Sequence, residues 1–566
     1  MTQTDAATIE PQTLSRPARL AWLLLILATL YICYFHNLGA LGLVGPDEPR
    51  YAWIARAMVE SGDWVTPRLY GKPWFEKPVL YYWGAATFFK LFGVSEVTAR
   101  LPSAISALLA TLALAWLALR LYGAETARWL LLLLPTTVGM IGFSHAAATD
   151  MPFAAMLSIA MVFAADLVGL VPKGPSSDSF ISFTSSAFLT SLHFGFFLGL
   201  AVLAKGPAAI VLSGGAVLFW ALFTKRWRDA FRCLHPVAIA SFCLTALPWY
   251  ILCARRNPDF FRVFIIEHNF KRYLTLEFQH IQPFWFYVPI LLIALLPWTL
   301  LFLATCGSLA AQFKAQSYQS TTSFFLLAWA LFPVLFFSAS KSKLPGYILP
   351  VVPVLLIFLA RGMSLARRKW NHPVLLGCLL SSVAFGVAAV VLFRSGPTLR
   401  IKWQDLWPEL GVLFASLTLT FGILTISFRL RKLPNLAEFL RMSALALFLL
   451  VMALLATDGT IRESGIWQLS AKDVAQLVRH YEGTAENLRL VRVNRSAQYQ
   501  LNFYVGAELR QWDGRPKDGE LLLGRSISCS GLGLGNECTN LWGYVDRSDD
   551  WVLLKISENT TSSGRP

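Results

Sequence analysis

Charged side chains are scarce in this sequence of 566 residues. Asp, Glu, Lys and Arg make up 14% of the chain, whereas hydrophobic residues make up 55%. A water-soluble protein of this length carries roughly a quarter charged residues. The shortage of charge therefore excludes an ordinary soluble fold and predicts an integral membrane protein.

Acidic residues are scarcer than basic ones, 33 against 49, which gives a formal net charge of +16. A basic balance is typical of nucleic-acid-binding proteins, but here most cations lie in short segments between apolar runs. That placement follows the positive-inside rule of membrane topology and suits contact with anionic lipids. We therefore expect membrane lipids as partners and no nucleic acid.

Metal-binding cysteine motifs are also lacking, since the sequence contains neither a CxxC pair nor a His/Cys zinc spacing. Six of the 8 cysteines lie in or beside apolar runs, where we expect buried small hydrophobes. Cys529 and Cys538 lie instead in the polar C-terminal tail. A disulfide between them is expected if the tail faces an oxidising compartment.

Long apolar runs fill the chain between residues 20 and 459. A bilayer crossing needs about 20 mostly apolar residues, and about thirteen runs have this length. The first run is too long for a cleavable signal, so we expect it to be retained as a span. The runs lie approximately at 20–43, 98–119, 126–143, 149–171, 185–203, 207–223, 236–254, 284–305, 322–339, 346–362, 374–393, 408–428 and 438–456.

The distribution of basic residues predicts the orientation of these spans. With residues 1–19 in the cytoplasm, the dense basic clusters at 225–232, 361–369 and 429–441 all fall on the cytoplasmic side. The first long loop, 44–97, then lies on the periplasmic side, as does the C-terminal tail. The unusual polar groups lie on that same side, so the predicted topology and the candidate chemistry converge on one face.

The tail, residues 460–566, is polar and differs in pattern from the rest of the chain. A helical pattern at 471–481 precedes strand-like runs at 488–493, 498–505, 520–523 and 552–556. We predict a small α/β domain. It contains no nucleophile elbow, phosphate loop or metal motif, so a lid or an acceptor-docking module is the expected role.

The loop 44–97 carries the densest chemistry in the chain. It begins with a carboxylate pair and continues with cations and a second acidic–basic pair: Asp47, Glu48, Arg50, Arg56, Glu76 and Lys77. An amphipathic interfacial connector would explain Asp47 as a helix cap or first-turn acid. It would not explain the later cluster, so we interpret the loop as part of a functional site.

Two charged residues stand at the edges of apolar runs. Asp150 begins a predicted span, where a helix cap and a functional role explain it equally well. Lys205 lies in LAVLAKGPAAIVL, where Lys-Gly-Pro breaks the helix. A lysine there either extends to the interface or meets a buried anion, and we favour the anion.

Two further outward segments contain candidate ligands. In 265–289, His268 and Arg272 are either solvated or functional, and His268 with Glu76 would make a two-residue metal site, which is weak by itself. In 337–353, Lys341, Lys343 and Tyr347 form either a turn that binds lipid headgroups or a specific anion site. The second is favoured because these lysines break the positive-inside pattern.

Together these residues describe one outward site with carboxylates, cations and aromatic rings beside the lipid. A lipid-linked phosphate or diphosphate suits the cations, and sugars stack on Trp and Tyr. The reaction predicted is glycosyl transfer from a polyprenyl-phosphate sugar. Lys and Arg would stabilise the leaving phosphate, as a metal does elsewhere.

Six motifs follow one another along the chain. They are Gly45-Pro-Asp47-Glu48-Pro-Arg50-Tyr51, Phe75-Glu76-Lys77-Pro78 with Tyr81-Tyr82-Trp83, Thr149-Asp150, Lys205-Gly-Pro, Glu267-His268-Asn269 with Arg272, and Ser342-Lys343-Leu-Pro-Gly-Tyr347. These motifs resemble those of the bacterial aminoarabinose transferase (ArnT) family, which is grouped with protein O-mannosyltransferases among the polytopic GT-C glycosyltransferases. The resemblance runs in order from about residue 15 to 360, and Val79 departs from the usual Lys-Pro-Pro.

The resemblance implies a membrane all-α fold of about thirteen transmembrane helices with a small periplasmic α/β domain. It implies a bacterial inner-membrane enzyme that moves 4-amino-4-deoxy-L-arabinose, or a related sugar, from undecaprenyl phosphate to lipid A phosphate. Asp47 would be the essential first-loop carboxylate, with Glu48 and Asp150 as further catalytic candidates. No cofactor is required on this basis, although Glu76 and His268 would match a suggested zinc-like metal pair. The expected substrate-binding residues are Arg50, Arg56, Lys77, Tyr81, Tyr82, Lys205, Arg272, Lys341, Lys343 and Tyr347.

The acceptor determines the role of Asp47. A lipid A phosphate is already ionised and needs positioning, so Asp47 would orient it or stabilise charge at the sugar carbon. A Ser or Thr hydroxyl of a protein acceptor needs a general base, which Asp47 would then provide. Direct displacement inverts the anomeric centre in both cases. A lipid-sugar transporter is less favoured because the span interiors are nearly all apolar, and a mere membrane anchor for the tail leaves the charged cluster unexplained.

Overall fold

The computed structural model describes residues 15–172, 180–271, 281–313, 318–366, 371–395, 407–430, 432–457 and 471–556, with short gaps in the last range at 482, 485, 516, 526, 535–537 and 545–550. Helices dominate the described residues up to 457, as the long apolar runs predict. The α-helices up to the tail are α1 (Arg16–Tyr34), α2 (Asp47–Ser61), α3 (Leu80–Phe92), α4 (Glu96–Tyr122), α5 (Ala124–Leu133), α6 (Val138–Ser144), α7 (Asp150–Leu167), α8 (Phe180–Lys205), α9 (Ala208–Thr224), α10 (Trp227–Ala230), α11 (Pro236–Arg256), α12 (Tyr287–Ala294), α13 (Thr299–Phe313), α14 (Tyr318–Ala339), α15 (Val352–Ala366), α16 (Asn371–Ser395), α17 (Trp407–Arg429) and α18 (Pro434–Thr457).

Among the described residues, 10 helices are long and apolar enough to cross a membrane, or up to 12 if each of two bent pairs counts as one span. The bent pairs are α5 with α6, at 62°, and Phe284–Ala294 with Thr299–Cys306, at 113°. The shorter apolar helix α9 matches the remaining predicted run. The multi-pass all-α class is thus confirmed, and the predicted count of about thirteen is reached only if the bent pairs and α9 are all crossings.

The predicted break at Lys-Gly-Pro is confirmed. Lys205 ends α8, and Gly206 has φ +92°, a left-handed value that favours glycine. Pro207 then precedes the first residue of α9, so the chain resumes as a separate helix. This break places the lysine at a helix end.

Local sequence signals shape the loop between α1 and α4. Helix α2 ends at Gly62, with φ +71°. A short hairpin joins β1 (Arg68–Leu69) to β2 (Lys72–Pro73) through Tyr70 and Gly71, both with positive φ. Turns within the loop itself therefore shape its backbone.

The loop packs into the membrane-spanning core. Tyr51, Ile54 and Met58 of α2 are buried in the same apolar cluster as the spans. Two tail residues, Tyr499 and Phe503, belong to that cluster as well. The first loop therefore lies between the helical bundle and the tail.

The described part of the tail contains both helices and strands. Its elements are α19 (Lys472–His480), β3 (Leu488–Val491), α20 (Arg495–Val505), β4 (Arg510–Gln511), β5 (Leu521–Arg525), β6 (Cys538–Tyr544) and β7 (Trp551–Ile556). The strands form a five-stranded mixed sheet of order β4-β3-β5-β7-β6. Strands β3 and β4 are parallel, as are β3 and β5, whereas β5–β7 and β6–β7 are antiparallel. The predicted small α/β region is thus present.

One predicted strand in the tail is wrong. Residues 498–505 lie in α20 because Asn494 caps the helix by accepting a hydrogen bond from the Ala497 amide, and Gly506 ends it with φ +85°. Strand β6 was missed by the sequence pattern. The structure also pairs Cys529 with Cys538 in a disulfide.

Candidate active site

Arg50 is the centre of a charged cluster formed by α2 and the segment before α3. Its Nη2 donates to Asp47 Oδ1 at 2.6 Å and lies 3.1 Å from Glu76 Oε2. Lys77 Nζ lies 3.8 Å from the other oxygen of Glu76. The rings of Tyr51 and Trp74 face the guanidinium, with their centroids 5.1 and 5.5 Å away. The structure thus brings four of the predicted site residues together.

Exposure distinguishes Asp47 from the rest of this cluster. The Asp47 side chain is 57% exposed, whereas those of Arg50, Glu76 and Lys77 are only 10–13% exposed. Burial lowers the pKa of Arg50, but the neighbouring Glu76, Tyr51 and Asp47 more than offset this effect and raise it overall. Arg50 therefore remains a fixed cation that holds an accessible carboxylate at the surface of the site.

Glu48 occupies a different environment from Asp47, although the two are adjacent. Its carboxylate accepts bonds from Arg100 Nη2 (2.9 Å) and Nε (3.2 Å) and from the amides of Val44 (2.9 Å) and Ala147 (2.6 Å). The residue is buried. Both oxygens accept bonds from protein donors, so Glu48 positions the start of α2, and the catalytic role predicted for Glu48 stays a prediction.

Arg56 contacts the tail in the structure, and the substrate-binding role predicted for it stays a prediction. Its Nε donates to Glu60 Oε1 at 2.6 Å, and its Nη1 donates to the carbonyl of Phe503 at 3.0 Å. A Cβ added to Gly506 would lie 2.6 Å from Nη2, so the guanidinium packs against the end of α20. Arg56 thus connects the first loop to the tail.

The two predicted tyrosines of α3 have different surroundings. Tyr81 donates to the Ala99 carbonyl at 2.9 Å, which joins α3 to α4 and is a structural contact. The Tyr82 hydroxyl is buried and has no hydrogen-bond partner among the residues that the structure describes. Burial raises the pKa of Tyr82, with Arg50 lowering it and Glu76 and Asp47 raising it further. The Tyr82 hydroxyl is therefore a buried polar group beside the Arg50 cluster.

A second cluster joins three helices at the break after α8. Lys205 Nζ donates to Asp150 Oδ1 at 2.5 Å, and it lies 4.7 Å from the ring centroid of Tyr347. The side chains of Lys205 and Asp150 are 10% and 23% exposed. A Cβ on Gly346 would lie 2.3 Å from Asp150 Oδ1, so glycine allows this close approach. The structure thus brings Asp150, Lys205 and Tyr347 together, as the sequence suggested.

Glu48 ties these two clusters to each other. Its bond to the Ala147 amide fixes the turn three residues before Asp150, and Ser103 donates to the next carbonyl, that of Ala148, at 3.3 Å. Arg100 completes the connection by donating to the carbonyls of Leu38 and Leu41. The starts of α2, α4 and α7 are therefore held in one polar network.

Lys341 and Lys343 differ in exposure. Lys343 is buried and donates to the carbonyls of Ser340 (2.6 Å) and Gln282 (3.1 Å), whereas Lys341 is exposed. Burial, with a smaller effect of Lys341, lowers the pKa of Lys343. Its bonds join two backbone segments, and the substrate-binding role predicted for Lys343 stays a prediction. Arg272 lies outside the described residues.

The described residues do not fit the expected metal site. No group of three or more His, Cys, Asp or Glu side chains able to hold a metal ion occurs among them. The Glu76 carboxylate already faces Arg50 and Lys77, and these cations compete with a metal for its oxygens. His268 lies in the π-helical segment Arg262–Lys271. The Glu76–His268 metal pair is not confirmed.

Sequence patterns missed several residues that shape the site. Arg100 lies within an apolar run, and Trp74 and Tyr51 were given no role opposite Arg50. Glu508 of the tail accepts from Trp53 Nε1 (3.1 Å) and from the Tyr70 amide (2.6 Å). A charged residue inside an apolar run is the one signal that points to Arg100.

Comparison with known proteins finds a matching family and several relatives. Residues 20–264 match the family described as dolichyl-phosphate-mannose-protein mannosyltransferase. Two relatives are undecaprenyl phosphate-alpha-4-amino-4-deoxy-L-arabinose arabinosyl transferases. The one from Enterobacter sp. (strain 638) is 32% identical over 67% of this chain and 68% of its own length. The one from Serratia proteamaculans (strain 568) is 30% identical over 72% of each.

The match to other relatives is shorter. It spans 58% of the length of the arabinosyl transferase from Edwardsiella ictaluri (strain 93-146), at 35% identity over 59% of this chain. Among solved structures, ArnT from Cupriavidus metallidurans bound to undecaprenyl phosphate has a TM-score of 0.75 and 23% identity, covering 96% of this chain and 99% of that one. This likeness shows that the two chains share a fold.

Proposed function

Since this chain belongs to the undecaprenyl phosphate-alpha-4-amino-4-deoxy-L-arabinose arabinosyl transferase family, we propose that it transfers 4-amino-4-deoxy-L-arabinose, or a related sugar, from undecaprenyl phosphate to lipid A phosphate. The reaction inverts the anomeric centre. It takes place at the periplasmic face of the bacterial inner membrane, where the loop 44–97 and the tail lie in the predicted topology.

The exposed carboxylate of Asp47, held by the buried Arg50, is the observation that carries this proposal. A lone surface carboxylate would be mobile, but a charge-assisted bond of 2.6 Å fixes this one. The fixed geometry suits a group that orients an acceptor phosphate or stabilises positive charge as the sugar carbon is displaced. No proton has to be removed from an ionised phosphate acceptor.

The cations of both clusters suit the departure of a polyprenyl phosphate. The bond between the sugar carbon and the phosphate oxygen breaks as the acceptor oxygen bonds to the opposite face, and the leaving phosphate keeps the electron pair. We assign Lys77 and Lys205 to that developing negative charge. Asp150 holds the Lys205 ammonium, and Tyr347 faces it, so the lysine is positioned before the donor binds.

A protein acceptor is the second candidate, because residues 20–264 match the dolichyl-phosphate-mannose-protein mannosyltransferase family. In that case a Ser or Thr hydroxyl would be the acceptor, and Asp47 would take its proton as the general base. The 57% exposure of Asp47 is compatible with either acceptor.

Mass spectrometry of lipid A tests the proposal. Lipid A from cells that express the wild-type chain should carry an added pentosamine, and cells lacking the gene or expressing Asp47→Asn should lack it. Asp259→Asn is the matched control, because Asp259 is also an exposed carboxylate paired with an arginine, Arg262. Unmodified lipid A with the wild-type chain would overturn the lipid A assignment, and full modification by Asp47→Asn would overturn the role of Asp47.

A further inference from the structure

A cavity of about 280 Å³ lies between α8, α9, α11 and the segment 227–234. Its wall is almost entirely apolar, which excludes a sugar or a free phosphate as its occupant. A hydrocarbon chain is the chemistry that such a wall accepts. Residues that line it include Phe194, Leu198, Val217, Leu218, Phe231 and Leu234.

Two glycines shape this cavity in opposite ways. A Cβ added to Gly195 would lie 2.1 Å from the Ala238 carbonyl oxygen, so glycine lets α8 and α11 touch there. A Cβ added to Gly214 would meet no atom within 4 Å. Gly214 lines the cavity, so a side chain placed at this position would enter the cavity without a clash.

A basic segment, residues 225–234, adjoins the cavity, because Trp227 and Phe231 of this segment help to line it. Lys225, Arg226, Arg228 and Arg232 provide four cations against the single carboxylate of Asp229. Asp229 engages Arg226 Nε at 2.6 Å and Arg232 Nη2 at 3.0 Å. Lys225 and Arg228 are exposed. The segment therefore keeps a positive charge that is available to an external anion.

The same segment exposes large apolar side chains between its cations. Trp227 is 40% exposed, Phe231 62% and Leu234 61%. A tryptophan beside cations and apolar residues is typical of the boundary between headgroups and acyl chains. The apolar cavity thus matches the acyl chain of a lipid, and the adjoining basic segment matches a lipid headgroup.

We propose that this cavity binds an anionic phospholipid, with an acyl chain along α9 and the headgroup phosphate at Lys225 and Arg228. The cavity is distinct from the candidate active site. Lys205 precedes the start of α9, whereas the basic segment follows the end of this helix. With 17 residues, α9 is about 25 Å long. The headgroup therefore lies at the opposite end of this helix from the Lys205 cluster, and binding of the lipid does not depend on the proposed reaction.

Native mass spectrometry of the purified, delipidated full chain tests this inference, with phosphatidylglycerol, phosphatidylethanolamine and inorganic phosphate as probes. We expect retention of phosphatidylglycerol over phosphatidylethanolamine. Gly214→Leu fills the cavity, and the double change of Lys225→Asn with Arg228→Gln removes two positive charges from the basic segment. Each change should weaken phosphatidylglycerol binding about five- to tenfold, because each juxtamembrane cation and each buried acyl segment contributes to affinity.

The controls change the same chemistry elsewhere. Gly142→Leu also introduces a side chain where a Cβ meets no atom within 4 Å, and Arg429→Gln with Lys432→Gln removes two exposed cations from another basic segment. Both controls should bind like the wild type. Equal binding of the two phospholipids, displacement by inorganic phosphate, or equal losses in controls and test variants would overturn the proposal.

Discussion

The guanidinium of Arg100 and the carboxylate of Glu48 form a buried ion pair through two bonds, Nη2–Oε2 at 2.9 Å and Nε–Oε1 at 3.2 Å. The pair joins the first turn of α2 to the beginning of α4. Since Glu48 also accepts from the Ala147 amide, one side chain positions both Asp47, its neighbour in sequence, and the turn that leads to Asp150. The active-site geometry proposed above thus depends on the buried contacts of Glu48.

We predict that Glu48→Gln lowers the free energy of unfolding by about 3–5 kcal/mol, the cost of leaving a buried charge without its partner. Asp47→Asn should change it by less than about 1 kcal/mol, since its side chain is largely exposed. Thermal unfolding in detergent measures both. Equal stability of the Glu48→Gln protein and the wild type would contradict the positioning role.

Lys205→Met should reduce sugar transfer by about 10²–10³-fold, because it removes a cation placed to meet the leaving phosphate. Lys205→Arg keeps the charge and should retain more activity. Asp150→Asn should have a smaller effect, since it loosens the lysine without removing it. The measurement is the rate of undecaprenyl phosphate release from a purified lipid-linked sugar. If Lys205→Met were as active as Lys205→Arg, the charge of this residue would have no part in the reaction.

The buried lysine Lys343 makes stability depend on pH in the alkaline range. Its folded-state pKa is lowered by burial and by Lys341 from an ordinary value of 10.5. The unfolded chain therefore binds more protons between these two pKa values, and stability contributed by this group rises with pH through that interval. The melting temperature of wild type minus that of Lys343→Met should increase as the pH rises toward 10.5. A constant difference would show that Lys343 titrates normally.

Glu508 connects the tail to the first loop by accepting hydrogen bonds from Trp53 Nε1 and from the Tyr70 amide. Glu508→Ala leaves both donors without this acceptor, and we expect a loss of about 1–3 kcal/mol in docking of the tail. Limited proteolysis should then cleave the tail faster than in the wild type. Glu486→Ala, which removes an exposed carboxylate of the same region, is the control. Equal cleavage of the two variants would argue against this docking contact.

Local patterns predicted the features that short stretches of chain determine. Long apolar runs must be helices in a bilayer, because unpaired backbone groups are costly there. The break at Lys205-Gly-Pro also follows from local chemistry, since proline and a left-handed glycine cannot continue a helix. The strand predicted at 498–505 failed because the cap at Asn494 outweighed the strand-like composition.

Composition and local patterns therefore predict the membrane class, the approximate spans and the charged residues from which the site is built. Which of these residues remain accessible depends on how distant segments of the chain pack together. Glu48 and Asp47 are adjacent in sequence, but their surroundings differ. Arg100, 52 residues from Glu48, donates to the Glu48 carboxylate, whereas the Asp47 side chain is 57% exposed. Arg56 is likewise engaged by the carbonyl of Phe503, 447 residues away. Ion pairs and hydrogen bonds between distant segments depend on how helices pack, and no local periodicity encodes them.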